Sequence, residues 1–196
     1  MKTIKTSKIA TLSLLIAIIL LLAFTPFGYL RTFGLSIQLI TIPVAVGACL
    51  FGADVGLILG FVFGLTSFAQ AFGLEPFGTM LFSINPLGTF IMCIIPRLLA
   101  GFLPGFLSER LGKNSLKPFA VSFLVAFLNT LFFMIFFLLF FWGTDFVQSL
   151  NKDGKNIILF VFTFVGVNGV VEWVSTTVVG GVVSKAVTTV AGDNEH

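Results

Sequence analysis

Three polar side chains lie deep within long apolar segments, and they are the clearest chemical signal in the sequence. Arg97, Asn129 and Glu172 fall on the last three of the six helices that the sequence predicts. At a rise of ~1.5 Å per residue, all three lie roughly 16–24 Å from the same end of those helices. Ionisable groups inside apolar spans are costly, usually face the bundle interior and often mark functional sites. We therefore predict that these side chains converge, with Asn168 one turn above Glu172.

The pair Arg97 and Glu172 has two interpretations. A buried ion pair would hold two helices together, because an unpaired charge in lipid is far more costly than a hydrogen-bonded pair. Alternatively, one or both side chains line a cavity open to the outside and bind a polar ligand. The planar guanidinium group of arginine suits a carboxylate ligand, since it donates two parallel hydrogen bonds. Further candidate ligand contacts lie nearer the outer surface: Tyr29, Arg31, Gln70 and Asn85.

The elements that position these residues must be membrane helices. Of the 196 residues, 57% are hydrophobic and 10% are charged, and the mean hydropathy is +1.11. A soluble domain carries roughly 25% charged residues, so lipid must cover most of this surface. A spanning helix needs ~20 apolar residues, which allows about six spans and leaves no room for a soluble catalytic domain.

Proline, glycine and charged clusters divide the chain into six helices within a single transmembrane domain, residues 1–196. The predicted helices cover about 8–24, 36–51, 55–72, 86–108, 118–142 and 156–187. We expect a loop at 29–34, a kink at Pro43 and a short apolar segment at 79–85 that is partly re-entrant. The sixth helix is too long for one crossing, so it should tilt, protrude or break near Gly166, Gly169 or Gly180-Gly181.

The distribution of basic residues predicts the orientation of this all-α integral membrane protein. Seven basic residues fall on one side and three on the other when six helices are assumed. The first group is Lys2, Lys5, Lys8, Arg110, Lys113, Lys117 and Lys185, and the second is Arg31, Lys152 and Lys155. Because the cytoplasmic side carries the excess of Lys and Arg, both termini should be cytoplasmic.

Small residues form stripes on two of the predicted helices. Glycine recurs at every fourth position from Gly52 through Gly56, Gly60 and Gly64, which lets a neighbouring helix approach backbone to backbone. That neighbour is either another helix of this chain or a docking partner. A weaker stripe on the first helix consists of Ala10, Ser13 and Ala17.

Several kinds of chemistry are excluded or disfavoured. His196 is the only histidine, so a histidine-based catalytic triad or histidine-rich metal site cannot form. Cys49 and Cys93 lie in apolar stretches and are expected to be packed thiols. No phosphate-binding loop is present, so partners must supply any ATP hydrolysis. The basic residues are scattered, which argues against nucleic-acid binding. We expect no enzyme activity, metal or cofactor.

Short motifs follow one another along nearly the whole chain. They are Thr25-Pro-Phe-Gly-Tyr-Leu, Ile40-Thr-Ile-Pro-Val-Ala-Val-Gly47, Phe51-Gly-Ala-Asp-Val-Gly56, Gly60-Phe-Val-Phe-Gly-Leu-Thr-Ser67, Pro96-Arg97 and the segment from Asn168 to Glu172. In this order and spacing they resemble the substrate-binding S components of energy-coupling factor (ECF) vitamin importers.

The resemblance implies a six-helix bundle in the plasma membrane that binds a vitamin near its outer face. Outer loops would cover the ligand. The first three helices would dock onto a membrane coupling subunit that carries two ATPases. Members of this family often have an Ala-x-x-x-Ala docking motif on the first helix, which Ser13-x-x-x-Ala17 only approximates.

The sequence is most similar to pantothenate-specific S components, and Arg97 with Arg31 would suit that anionic ligand. The alternative substrates are pyridoxine, hydroxymethylpyrimidine or thiamine-type compounds, bound by stacking aromatic rings and amide hydrogen bonds. An alternative of another class is a structural or assembly membrane protein that transports nothing.

Overall fold

Helices make up most of the chain, and one short hairpin separates the first two. A computed structural model describes residues 2–25, 29–32, 35–112, 114–150 and 156–193. The helices are α1 (Lys2–Phe24), α2 (Thr41–Phe51), α3 (Ala53–Gln70), α4 (Pro76–Ile84), α5 (Pro86–Arg110), α6 (Lys117–Phe141), α7 (Asp145–Leu150), α8 (Ile157–Ser175) and α9 (Gly181–Asp193), with a π turn at Thr176–Gly180. The hairpin strands are β1 (Tyr29–Thr32) and β2 (Leu35–Gln38).

Four helical stretches of the described chain are long and apolar enough to cross a membrane. They are Ala53–Gln70, Pro86–Arg110, Lys117–Phe141 and Gly169–Val190. Two shorter apolar helices, Lys8–Phe24 and Thr41–Phe51, precede them. Length and composition thus agree with the predicted membrane class, whereas six crossings and cytoplasmic termini stay predictions.

The hairpin corrects two predictions, the loop at 29–34 and the start of the second helix at residue 36. The strands β1 and β2 pair antiparallel, with Tyr29 opposite Gln38 and Thr32 opposite Leu35. Paired strands satisfy each other's backbone hydrogen bonds, which an irregular segment beside lipid would leave unpaired. The alternating apolar and polar residues of 35–38 (Leu-Ser-Ile-Gln) were the available sequence signal.

Because α2 begins at Thr41, Pro43 lies in its first turn. An N–H group in the first turn has no partner within the helix, so proline is tolerated there. The predicted kink at Pro43 is therefore wrong. The proline residues inside a helix are instead Pro96 and Pro104, both in α5.

The short apolar segment predicted at 79–85 falls in α4, and a side-chain cap begins α4 and another begins α5. The Glu75 carboxylate accepts hydrogen bonds from the backbone N–H groups of Phe77 and Gly78 at the start of α4. Asn85 then caps α5, since its Oδ1 accepts from the N–H of Gly88 at 2.9 Å. These caps separate α4 from the long helix that follows it.

The glycine stripe on α3 packs against α5 within this chain. A Cβ on Gly56 would lie 2.2 Å from the carbonyl oxygen of Gly101, and one on Gly60 would lie 2.3 Å from that of Arg97. A Cβ on Gly64 would lie 3.0 Å from the carbonyl oxygen of Cys93. Since Gly56, Gly60 and Gly64 are buried in this contact, their prediction as a partner-docking face is wrong.

The last long helix is broken, as its length predicted. Gly166 has φ 45° and ψ −146°, which lie outside the helical region, and the π turn ends at Gly180. The predicted break near Gly166 is thus confirmed, whereas near Gly180-Gly181 the helix changes to a π turn and continues. The segment between them carries Glu172.

Replacing Gly60 with alanine should force α3 and α5 apart, because the new methyl group would overlap the Arg97 carbonyl. We expect Gly60→Ala to lower the free energy of unfolding by about 2 kcal/mol or more, measured by thermal or denaturant unfolding in detergent. Gly143→Ala is the matched control, since nothing lies within 4 Å of a Cβ built on Gly143. Equal stability of the two variants would contradict the backbone contact.

Candidate ligand-binding site

The Arg97 side chain binds a backbone carbonyl of its own helix that lacks its usual hydrogen bond. Pro96 has no N–H, so the carbonyl of Met92, its normal partner four residues earlier, is left without that hydrogen bond. The guanidinium Nη1 of Arg97 donates to this carbonyl oxygen at 2.7 Å. Pro96 thus leaves the Met92 carbonyl free to accept a hydrogen bond, and the neighbouring Arg97 donates that bond.

Two aromatic rings flank the same guanidinium group. Its central carbon lies 5.3 Å from the ring centroid of Phe63 on α3 and 5.3 Å from that of Phe133 on α6. Cation–π attraction of this kind partly compensates the lost hydration of a buried cation. Arg97 is only 3% exposed, yet its Nε–H has no hydrogen-bond partner. The guanidinium group therefore keeps an unused donor.

A second polar group joins α6, α8 and the hairpin. Asn129 Nδ2 donates to Glu172 Oε1 at 3.4 Å, and both side chains are buried. The backbone of Gln38, at the end of β2, also lies near this carboxyl group. Two acceptors beside it, Asn129 Oδ1 and Gln38 Oε1, are buried without a partner.

Arg97 and Glu172 interact electrostatically but do not form a direct ion pair. The predicted clasp between these two side chains is therefore wrong in its direct form. The physical reason is that each has other partners: Arg97 binds the Met92 carbonyl, and Glu172 accepts from Asn129. The predicted convergence is confirmed for Asn129 and Glu172, whose side chains hydrogen-bond, whereas Arg97 acts on Glu172 only through its charge.

A pair of hydroxyl groups joins α2 to the last helix one turn beyond Glu172. Thr41 Oγ1 lies 2.8 Å from Thr176 Oγ1, which joins α2 to the π turn one helical turn after Glu172. Thr41 also lies 3.1 Å from the Gln38 carbonyl oxygen, to which its hydroxyl can donate. The end of the hairpin, α2 and the last helix thus meet at Thr41.

Several predicted ligand contacts serve the fold instead, or cannot be located. Gln70 is buried, and its Nε2 donates to the Ala23 carbonyl, which ties the end of α3 to the end of α1. The Oδ1 of Asn85 is used as a helix cap. We therefore leave Gln70 and Asn85 out of the candidate site. The side chains of Tyr29, Arg31 and Asn168 lie outside the described part of the chain.

Gln38, Thr41 and Thr176 are the site residues that sequence reasoning missed. Gln38 was predicted to lie inside the second helix, where nothing distinguished it from a surface residue. Threonine is common in membrane helices, and Thr41 and Thr176 are too far apart in the sequence for their spacing to predict a contact. A hairpin assignment for 29–38 would have drawn attention to Gln38, since it ends the second strand.

The surroundings of this cluster are aromatic and aliphatic. Phe133 stacks on Phe137 with ring centroids 6.0 Å apart, and Phe77 contacts Phe137 at 5.7 Å. Small-molecule sites typically combine such apolar lining with a few polar anchors. Among the described residues, no group of three His, Cys, Asp or Glu side chains could hold a metal ion.

Polar groups of both charges, enclosed by apolar membrane helices and left with unused donors and acceptors, define a membrane-embedded binding protein. The chain matches the family model of the ECF transporter substrate-specific component over residues 7–183, and it belongs to this family. Members of this family are the substrate-binding components of transporters, and such a component is not an enzyme.

One relative carries a substrate in its name. Over 116 residues the chain is 35% identical to the pantothenic acid transporter PanT of Lactococcus lactis subsp. cremoris. The match covers 53% of this chain and 59% of the relative, so it extends over less than two thirds of that protein.

A double-mutant cycle should reveal the indirect interaction between Arg97 and Glu172. We expect Arg97→Met and Glu172→Gln to be coupled by about 1 kcal/mol in the free energy of unfolding, because each removes a charge that stabilises the other. Arg97→Met combined with Glu109→Gln is the control cycle. Glu109 lies ~18 Å along α5, so its coupling should be near zero. Equal coupling in the two cycles would contradict the interaction.

Proposed function

We propose that this protein captures pantothenate at the outer face of the plasma membrane, as the substrate-binding subunit of an ECF importer. One observation carries the proposal. The buried Arg97 guanidinium has no carboxylate at ion-pair distance among the described residues, and its Nε–H is unbonded. A cation in this state attracts an anion small enough to enter the bundle.

The chemistry of pantothenate complements the site at both ends. Its carboxylate would bind the Arg97 guanidinium, and its two hydroxyl groups and amide N–H would donate to Glu172 and to the free acceptors on Asn129 and Gln38. Its methyl groups would pack against the surrounding phenylalanine rings. The name of the Lactococcus lactis relative supports the same substrate.

The hairpin is proposed to cover the ligand from the outside. Gln38 ends β2, its carbonyl accepts a hydrogen bond from Thr41, and its backbone lies near Glu172. Movement of the hairpin would therefore open the polar cluster without disturbing the contact between α3 and α5.

Ligand binding to purified protein tests this function. We expect pantothenate to raise the melting temperature and to give a saturable signal in calorimetry. Arg97→Met should weaken binding about 100-fold, since a charge-assisted bidentate contact contributes ~3 kcal/mol. Arg110→Met is the matched control, because Arg110 is exposed at the far end of the same helix and stacks on Phe106.

The same measurement separates the alternatives. A shift with pyridoxine, hydroxymethylpyrimidine or thiamine, and none with pantothenate, would replace the proposed substrate. If no vitamin binds, the receptor function itself fails, and a structural or assembly role takes its place.

We further propose that the complete importer forms when α1 docks onto a membrane coupling subunit that carries two ATPases. Ala10, Ser13 and Ala17 are all exposed on α1, so their small side chains leave room for a partner helix. The glycine stripe of α3 is not part of this proposed face, since α5 covers it.

A bulky residue on α1 should block docking without affecting the ligand. We expect Ala17→Phe to abolish co-purification with the coupling subunit and ATPases, with pantothenate affinity unchanged. Ala120→Phe is the control, because Ala120 is an equally small, exposed residue on α6. Normal co-purification of Ala17→Phe would contradict this docking face.

A further inference from the structure

Two hydrogen bonds lie side by side between α6 and α8. Asn129 bonds Glu172, and at the next position of each helix the indole Nε1–H of Trp173 donates to Thr130 Oγ1 at 3.1 Å. Successive helical residues point ~100° apart, so these two bonds lie on different sides of each helix. Together they restrain both the height and the rotation of α8 relative to α6.

The Thr130 hydroxyl is oriented for this role. It donates its own proton to the Ala126 carbonyl at 3.2 Å, which directs a lone pair towards the indole. The indole ring is also held by edge contacts to Phe127 at 5.4 Å and Phe123 at 6.4 Å between centroids. Trp173 is thus fixed by one hydrogen bond and two rings of α6.

The segment that carries Glu172 needs such a restraint. It begins after the non-helical Gly166 and ends at the π turn that starts at Thr176. The backbone is non-helical at Gly166, so the part of α8 before that residue does not fix the height of Glu172, whereas after Glu172 the helix continues through the π turn into α9. The lateral contacts with α6 therefore help to fix the position of Glu172.

We propose that Thr130 and Trp173 are positioning residues for the ligand site. Their hydrogen bond sets the register of α8 on α6, so that the Glu172 carboxylate meets Asn129 and the ligand. This inference depends on the proposed pantothenate site, because it concerns the geometry of that site. Neither residue is required to touch the ligand.

Matched variants test the inference through pantothenate affinity. Thr130→Val keeps the side-chain shape but removes the acceptor, and we expect affinity to fall about three- to tenfold. Thr130→Ser restores the hydroxyl and should restore affinity. Trp173→Phe should cause a similar loss, and the double variant should lose little more, since both changes remove one bond. Thr163→Val is the control: Thr163 is exposed on α8 and donates to the Leu159 carbonyl.

Tryptophan fluorescence supplies a second readout that does not depend on affinity. The chain has two tryptophan residues, so Trp142→Phe leaves Trp173 as the only indole. We expect pantothenate to change the emission of Trp173, and Thr130→Val to shift it without ligand.

The outcomes separate the two proposals. Binding by the native chain, with native affinity in both Thr130→Val and Trp173→Phe, would overturn the positioning role and leave the proposed function intact. If Thr130→Val does not fold, Trp173→Phe alone decides. A native chain that binds no vitamin would overturn both.

Discussion

A full positive charge inside an apolar bundle is the constraint on which this structure depends. Arg97 meets it through three neighbours of different kinds: the Met92 carbonyl that Pro96 leaves open, and the rings of Phe63 and Phe133. The backbone at the same position faces Gly60, where even a methyl group would collide. Helices α3, α5 and α6 are therefore arranged around one side chain.

The polar groups at the centre of the bundle form an incomplete hydrogen-bond network. Glu172 reduces the field of Arg97, but the two groups do not touch, and donors and acceptors around them stay unused. Buried polar networks of this kind are costly unless every member is satisfied. A small molecule with a carboxylate and hydroxyl groups would complete this network, which links the composition of the site to the family to which the chain belongs.

The sequence predicted those site residues whose polarity differs from that of the residues around them. Arg97, Asn129 and Glu172 stand out because polar groups are rare in apolar helices, and equal depth placed them together. Gln38 could not be found in this way, since its role depends on a hairpin that ends beside Glu172. Polar residues at helix ends were ambiguous for another reason: Gln70 and Asn85 satisfy local backbone groups, and composition does not distinguish this use from ligand binding. The glycine stripe predicted a close helix contact but not its partner.

The contact between α3 and α5 also limits how the molecule can deform. Carbonyl oxygens pressed against glycine Cα atoms over four successive turns leave no side chains that can change rotamer to allow sliding. We therefore expect α3 and α5 to move together as one rigid unit. Relative motion is then left to the elements around this pair: α1, which packs against α3 and α2, and the last helix, which packs against α6 and α2. We expect a hinge at those contacts and not between α3 and α5.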